Sequence, residues 1–132
     1  MQKGNLMIDQ SEIVSSLTPL NGVYFKIPNL YEYAKKVTIL GKSIELRHEQ
    51  TNELISYVLY YDNGPEIFIT MVWTHREYQG RGFAKKLLRQ LIDSSSKGIK
   101  LEVHKDNPAI RIYENIGFVQ KEISGDIHTM YR

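Results

Sequence analysis

The sequence predicts an α/β chain in which helices pack on one mixed sheet, in the order α-α-β-β-β-α-β-α-β-β. Three observations carry this. Two runs rich in β-branched and aromatic residues, Leu54 to Tyr61 and Glu66 to Thr74, flank Asp62-Asn63-Gly64-Pro65, a set of turn formers that joins neighbouring strands as a hairpin. Phe83, Ala84, Leu87, Leu88, Leu91 and Ile92 then recur at i, i+1, i+4, i+5, i+8 and i+9, the apolar stripe of a helix from about Gly82 to Ser96. Ile99 to His104 returns to strand character directly after it, and a strand-helix-strand unit brings its two strands parallel.

The other elements follow in chain order. Asp9 can cap a short helix through about Leu17, and Pro28-Asn29 can open a second, Leu30 to about Leu40, ended by Gly41. Val37, Thr38 and Ile39 are β-branched and would suit a strand as well. Ser43 to His48 alternates weakly and completes a set of three antiparallel strands. Gly98 lies past the end of the third helix, and Asn107-Pro108 supplies a cap and first position for a fourth, which Gly117 closes. Phe118 to Ile123 and Ile127 to Tyr131, joined around Gly125-Asp126, form a terminal hairpin.

At 132 residues, with 42% apolar and 24% charged residues, the expectation is one globular domain over 1–132. No apolar run approaches the roughly 18 residues of a membrane span, and Met1 to Gln10 lacks a signal-peptide core, so a cytoplasmic protein without membrane insertion is expected. The absence of cysteine excludes disulfides, thiolate zinc sites and a cysteine nucleophile. His48, His75, His104 and His128 lack the spacing of a helical metal pair, and no metal is expected. Tyr57, Tyr60, Tyr61, Phe68 and Trp73 read as core and substrate-wall residues rather than as a base-stacking platform, since no broad basic surface surrounds them.

A net charge of +2 is too small for a nucleic-acid coat. Its distribution is more informative. Between Thr74 and Arg89, Arg76, Arg81, Lys85, Lys86 and Arg89 face only Glu77, so this segment is +4 and the remainder −2. Within it, Gln79-Gly80-Arg81-Gly82-Phe83-Ala84 leads from a strand into the amphipathic helix. The first N–H groups of a helix have no internal partner and the dipole there is positive, so an anion is favoured. Gly80 and Gly82 permit unusual dihedrals, Ala84 keeps the first turn uncluttered, and Arg81, Lys85 and Lys86 add charge. The spacing differs from both GxGxxG and GxxxxGKS. Without further signal, a glycine-rich turn before a solvated basic helix explains the segment equally well.

Thr74 to Ala84 followed by Lys-Lys-Leu-Leu resembles the acyl-CoA-binding motif of the GNAT N-acetyltransferases, Arg/Gln-x-x-Gly-x-Gly/Ala, which Gln79, Gly82 and Ala84 satisfy. Downstream, Leu101-Glu102-Val103, Asn107 and Tyr113-Glu114-Asn115-Ile116-Gly117-Phe118 resemble that family's LEV…N…LYEKLGF segment. The similarity covers roughly Leu54 to Val119, with 54–119 as the acetyl-CoA-binding and catalytic core. Residues 1–41 fall where the family is most variable and shapes its acceptor site.

The resemblance implies acetyl transfer from acetyl-CoA to a primary amine, with acetyl-CoA as cosubstrate. It implies a diphosphate cradle at Gly80, Arg81, Gly82, Phe83, Ala84 and Lys85, and a strand end, Val72, Trp73 and Thr74, pairing with the pantetheine arm because the strand beginning at Ile99 splays away. Tyr113 matches the family's general acid. Its stripe with Ala109, Ile112 and Ile116 would bury a tyrosine whatever its task. Glu102 matches the general base of the similar ribosomal-protein N-terminal acetyltransferases, and alternation sends it to the sheet face opposite Leu101 and Val103, beside His104. A solvated strand residue, or a partner of Lys100 or Arg111, is the alternative. His104, His75, Glu66 and Glu45 are reserve bases.

One departure is a tyrosine six positions after Asn107, where the family commonly has seven. A one-residue deletion near Pro108 keeps the spacing of Tyr113 to Gly117-Phe118. The expectation is an N-acetyltransferase acting on a small molecule by direct attack in a ternary complex. The alternative is an acyl-CoA-binding sensor or interaction module without turnover. Exposed aromatic residues on the terminal hairpin would suit a homodimer contact.

Overall fold

The computed structural model describes residues 8–132. Most of the Met1 to Gln10 stretch, on which the expectation about export rests, therefore lies outside the described residues. The elements are α1 (Gln10–Leu17), α2 (Leu30–Leu40), β1 (Lys42–Arg47), β2 (Leu54–Asp62), β3 (Glu66–Thr74), α3 (Phe83–Asp93), β4 (Gly98–His104), α4 (Ile110–Asn115), β5 (Val119–Ser124) and β6 (Ile127–Tyr131). Their order is the one read from the sequence. One six-stranded sheet has strand order β1-β2-β3-β4-β6-β5, antiparallel except for the β3–β4 pair.

Helix α1 begins in a capping box: Asp9 Oδ1 accepts from the Glu12 amide (2.9 Å), and Glu12 Oε1 accepts from the Asp9 amide (3.1 Å). Arg47 on β1 donates to both oxygens of Glu12 (2.8 and 2.9 Å), which ties α1 to the sheet. The β-branched end of α2 stays helical because Ala34 and Val37 are buried, and because Gly41 lets the chain turn tightly. A Cβ there would stand 2.7 Å from Val37 Cγ2 and 2.8 Å from Val37 O.

Both faces of the sheet are covered. Leu87, Leu88 and Leu91 of α3 pack with Ile67, Ile69, Ile99, Leu101, Val103 and Tyr113 on one face; Ile13, Leu17, Ala34 and Val37 pack with Tyr57 and Leu59 on the other. Each buried Val, Leu or Ile among them contributes about 1.5–3 kcal/mol by leaving water.

Some boundaries differ from expectation. Helix α3 stops at Asp93 rather than near Ser96, and Ser94 turns its hydroxyl back to Leu91 O (2.8 Å). Helix α4 starts at Ile110 rather than at Pro108, because Asn107 Oδ1 takes the Ala109 amide (2.9 Å) and its carbonyl takes the Ile110 amide (3.1 Å), closing a tight turn first. Two short 3-10 turns, Thr18–Leu20 and Arg76–Tyr78, were not foreseen. The aromatic residues of the terminal hairpin are not exposed: Phe118 is buried and Tyr131 half-buried, with Lys100 Nζ 5.8 Å from its ring centroid. Val119 and Ile123 are exposed instead, so the stated basis for a dimer is absent. Among the described residues no helix is long and apolar enough to cross a membrane.

Candidate active site

Strands β3 and β4 pair only from Glu66/Gly98 to Ile69/Leu101, and beyond that point they part. The parting coincides with a bulge. Leu59 opposes Met71 and Tyr60 opposes Ile69, which leaves Thr70 without a partner on β2. After the bulge the His75 amide donates to Ile55 O (2.8 Å), so alternation turns the main-chain groups of Trp73 towards β2 and those of Val72 and Thr74 towards the gap. Ser56 Oγ donates to Trp73 O (2.8 Å), in keeping with that assignment. Of the three strand-end residues named from the sequence, Trp73 therefore presents its ring rather than its backbone. Gln79 Nε2 already occupies Thr74 O (3.1 Å), which leaves the Thr74 N–H and both groups of Val72 open.

The gap widens into a cleft of about 800 Å³ that runs between the two sheet faces. At one end lies the start of α3. Gly80 (φ 79°) and Gly82 (φ 82°) are both in the left-handed region, with no atom within 4 Å of a Cβ at either, so the glycines serve the dihedrals and not close packing. No side chain caps the helix, and its first internal bond runs from the Lys86 amide to Gly82 O (3.0 Å). The amides of Phe83, Ala84 and Lys85 thus meet the cleft with no partner in the helix. Arg81 stacks on Tyr78, its guanidinium carbon 5.4 Å from the ring centroid. Lys85 lines the cleft, whereas Lys86 is exposed. Open amides, positive dipole and positive side chains fit a diphosphate, and the open edge of β3 fits an amide-bearing arm.

Tyr113 lies on the cleft wall and is only 6% exposed. Burial pushes its phenol well above the ordinary tyrosine range, and no hydrogen bond to its hydroxyl contributes. Its ring stands 5.9 Å from that of Phe118, at 60°. The Phe118 amide donates to Tyr113 O (2.9 Å). Tyr113 is thus both a core residue and a neutral hydroxyl left free for a ligand.

Glu102 lines the cleft with an exposed carboxylate. It makes no ion pair with Lys100 or Arg111. Among the reserve bases, His104 also lines the cleft, its Nδ1 accepting from the Asp106 amide (3.1 Å). His75 accepts from the Glu77 amide (3.1 Å), Glu45 lies 3.3 Å from Arg47, and Glu66 sits at the paired end of β3, so these three stand outside it. Asn107 borders the cleft, but its side chain is engaged in the turn before α4. Among the described residues no cluster of three or more His, Asp or Glu could hold a metal ion.

Sequence reading missed the residues at the far end. The segment between α1 and α2 carries Leu20, Val23 and Tyr24, all exposed, over the cleft mouth. Asn21 braces it, donating to Ile27 O (3.0 Å) and accepting from the Ile27 amide (2.8 Å). Pro19 and Asn21-Gly22 are the signals that could have marked an ordered turn here. Thr70 was missed as well; its hydroxyl meets Tyr33 Oη on α2 at 3.1 Å.

The sequence model of the Acetyltransferase (GNAT) family matches residues 20–118. No curated protein matches the chain in sequence. Among solved structures, NAA60 of Arabidopsis thaliana in complex with a bisubstrate analogue is similar at 19% identity and a TM-score of 0.73, over 96% of this chain and 95% of that one. The ribosomal-protein-S18-alanine N-acetyltransferase of Escherichia coli is similar at 17% identity and a TM-score of 0.72, over 96% and 88%. PaiA N-acetyltransferase of Thermoplasma acidophilum, in complex with coenzyme A, is similar at 14% identity and a TM-score of 0.60, over 95% and 87%. At these identities the likeness is one of fold.

Proposed function

The chain belongs to the GNAT acetyltransferase family, and from that premise we propose that it is an N-acetyltransferase that moves the acetyl group of acetyl-CoA to a primary amine on a small molecule, by direct attack in a ternary complex. The observation that carries this reading is the parting of β3 from β4, which leaves an open strand edge between an uncapped helix start and the free hydroxyl of Tyr113. The amides of Phe83, Ala84 and Lys85, presented by Gly80 and Gly82, hold the diphosphate, with Arg81 and Lys85 adding charge. Val72 and the Thr74 N–H bind the pantetheine arm as an added strand would, and Gln79 and Asn107 fix the turns at either side of it.

Bound acetyl-CoA supplies a thioester whose carbonyl carbon bonds to the amine nitrogen as its bond to sulfur breaks. Glu102, on the acceptor face, takes the proton that the amine must lose. Tyr113, held neutral by burial, gives its proton to the departing sulfur and is reprotonated from solvent. With no cysteine in the chain, direct attack needs no acyl-enzyme.

Thiol release measured against a panel of amines tests the reading. Amine-dependent production of CoA is expected. Saturable binding of acetyl-CoA with no amine-dependent thiol would leave a non-catalytic acyl-CoA-binding module.

A further inference from the structure

The two ends of the cleft differ in chemistry. The helix end is positive, as above. At the acceptor end, the rim carries Leu20 (37% exposed), Val23 (59%) and Tyr24 (38%), large apolar groups left in water. They do not sit on a loose loop. Asn21 binds Ile27 through both its side-chain donor and its acceptor, the Gly22 amide donates to Phe25 O (2.7 Å), and the Val23 amide donates to Leu20 O (3.0 Å). A braced segment that displays apolar side chains over a cavity loses free energy unless something apolar covers them. Tyr24 reaches across to His104, ring centroids 6.0 Å apart, and Phe68 and Trp73 continue the aromatic wall inward.

The charge at this end is sparse. Among the described residues lining the cleft, Glu102 is the one carboxylate, while Lys26 adds a positive charge. Asp106 and Asp126 lie against His104, each with a carboxylate oxygen 4.0 Å from a ring nitrogen, and do not line the cleft. A polyamine or an amino sugar brings several ammonium groups. Only one would meet an acid here, and the others would lie without a carboxylate partner, against Leu20 and Val23 or beside Lys26.

Resting on the acetyltransferase reading, we infer that the acceptor is an amine with a single positive charge on an apolar or aromatic body: Glu102 receives the ammonium group, and Tyr24, Val23, Phe68 and Trp73 enclose the body. The reaction is the one already written, with the amine nitrogen forming the amide bond and CoA leaving as the thiol.

The test compares phenylethylamine with spermidine and kanamycin, and adds a peptide with a free apolar N-terminal residue. With acetyl-CoA saturating, kcat/KM for phenylethylamine is expected to exceed that for spermidine and kanamycin by at least about tenfold, a ratio that burial of a few methylene-sized groups supplies. Val23→Asp and Tyr24→Ser, both on exposed sites, should each raise KM for phenylethylamine about tenfold and leave the KM for acetyl-CoA unchanged. Should turnover be too slow to measure, the single tryptophan, Trp73, reports binding directly: phenylethylamine added to the CoA complex should give a saturable change in fluorescence that spermidine does not. Preference for spermidine or kanamycin, or a tenfold advantage for the peptide, overturns the inference and leaves the acetyltransferase reading standing. Failure to bind acetyl-CoA at all defeats the parent reading instead.

Discussion

Tyr33 on α2 holds Thr70, the one residue of β3 that bulges out of register with β2, through a hydroxyl contact of 3.1 Å at the point where β3 leaves β4. The bulge changes the phase of the strand, so that Ile69 and Val72, three apart, both join the core beneath α3, while Met71 and Trp73 join the opposite core. Helix α2 thereby braces the edge on which the cosubstrate is proposed to lie.

If that contact holds the edge open, Tyr33→Phe should cost about 1 kcal/mol in urea unfolding and raise the KM for acetyl-CoA several-fold. The double variant with Thr70→Val should be less destabilised than the sum of the singles, because it leaves no hydroxyl without its partner. A strictly additive result would mean that the two groups do not interact.

Burial pushes the Tyr33 phenol up from 10.0 to about 12. A raised value means that the folded state favours the neutral form, so this contribution to stability is complete below pH 10 and is lost as pH rises from 10 towards 12. Tyr57 is raised for the same reason and adds to the slope. Unfolding free energy should fall over that range, and less steeply in Tyr33→Phe; identical slopes would contradict the assignment.

The opposite sign applies at Glu12. The hydrogen bonds from Arg47 hold its carboxyl below the ordinary value of 4.5, so the stabilisation is present above that pH and disappears as pH falls through the lower folded value. Glu12→Gln should cost about 2–3 kcal/mol at neutral pH, since it leaves the mostly buried Arg47 short of its main partner, and the cost should shrink on acidification. Chemical denaturation at pH 7 and pH 3 measures both.

Gly82 and Gly64 form a matched pair. Both have positive φ (82° and 91°), and neither has an atom within 4 Å of a Cβ. Alanine at either should therefore cost about 1–2 kcal/mol of stability through the dihedral alone. Only Gly82→Ala should also weaken acetyl-CoA binding, by about tenfold, because only it displaces the amides at the start of α3. Equal affinities in the two variants would remove those amides from the binding site.

Tyr113→Phe separates chemistry from packing. The ring keeps its place against Phe118, so stability should change little, while kcat falls by about 10²-fold with acetyl-CoA affinity maintained. Unchanged turnover would assign the tyrosine to the core alone.

How much the sequence disclosed depended on whether each feature left a local mark. Asp9, Asn29, Gly41 and the glycines before α3 are capping and turn residues, whose preferences act over three or four positions, and the starts of α1, α2 and α3 and the end of α2 were legible from them. The bulge was illegible because Ile67, Phe68, Ile69, Met71, Val72 and Trp73 are apolar on both faces, so a slip in phase leaves no trace in the pattern. The placement of β6 between β4 and β5 was equally hidden, being set by which edges meet in space. Glu102, Tyr113 and the Gly80–Lys85 turn were named by motif, and all of these residues except Arg81 line one cleft. Tyr24 and Thr70 were not found: their position depends on a fold-back of the α1–α2 segment and on the bulge, neither of which is a local preference.

In the proposed reaction the amides opening α3 grip a diphosphate and so aim a thioester at Tyr113. Calorimetric titration with coenzyme A, followed by a comparison of 4′-phosphopantetheine with pantetheine, which differ only in the phosphate carried on the arm, is the decisive measurement. Saturable binding of coenzyme A at one site per chain is expected, weakening as salt rises, with pantetheine bound about tenfold more weakly than 4′-phosphopantetheine, as the loss of a phosphate from a helix start and its cations implies. Equal affinity for 4′-phosphopantetheine and pantetheine, or no saturable heat with coenzyme A, would contradict that grip.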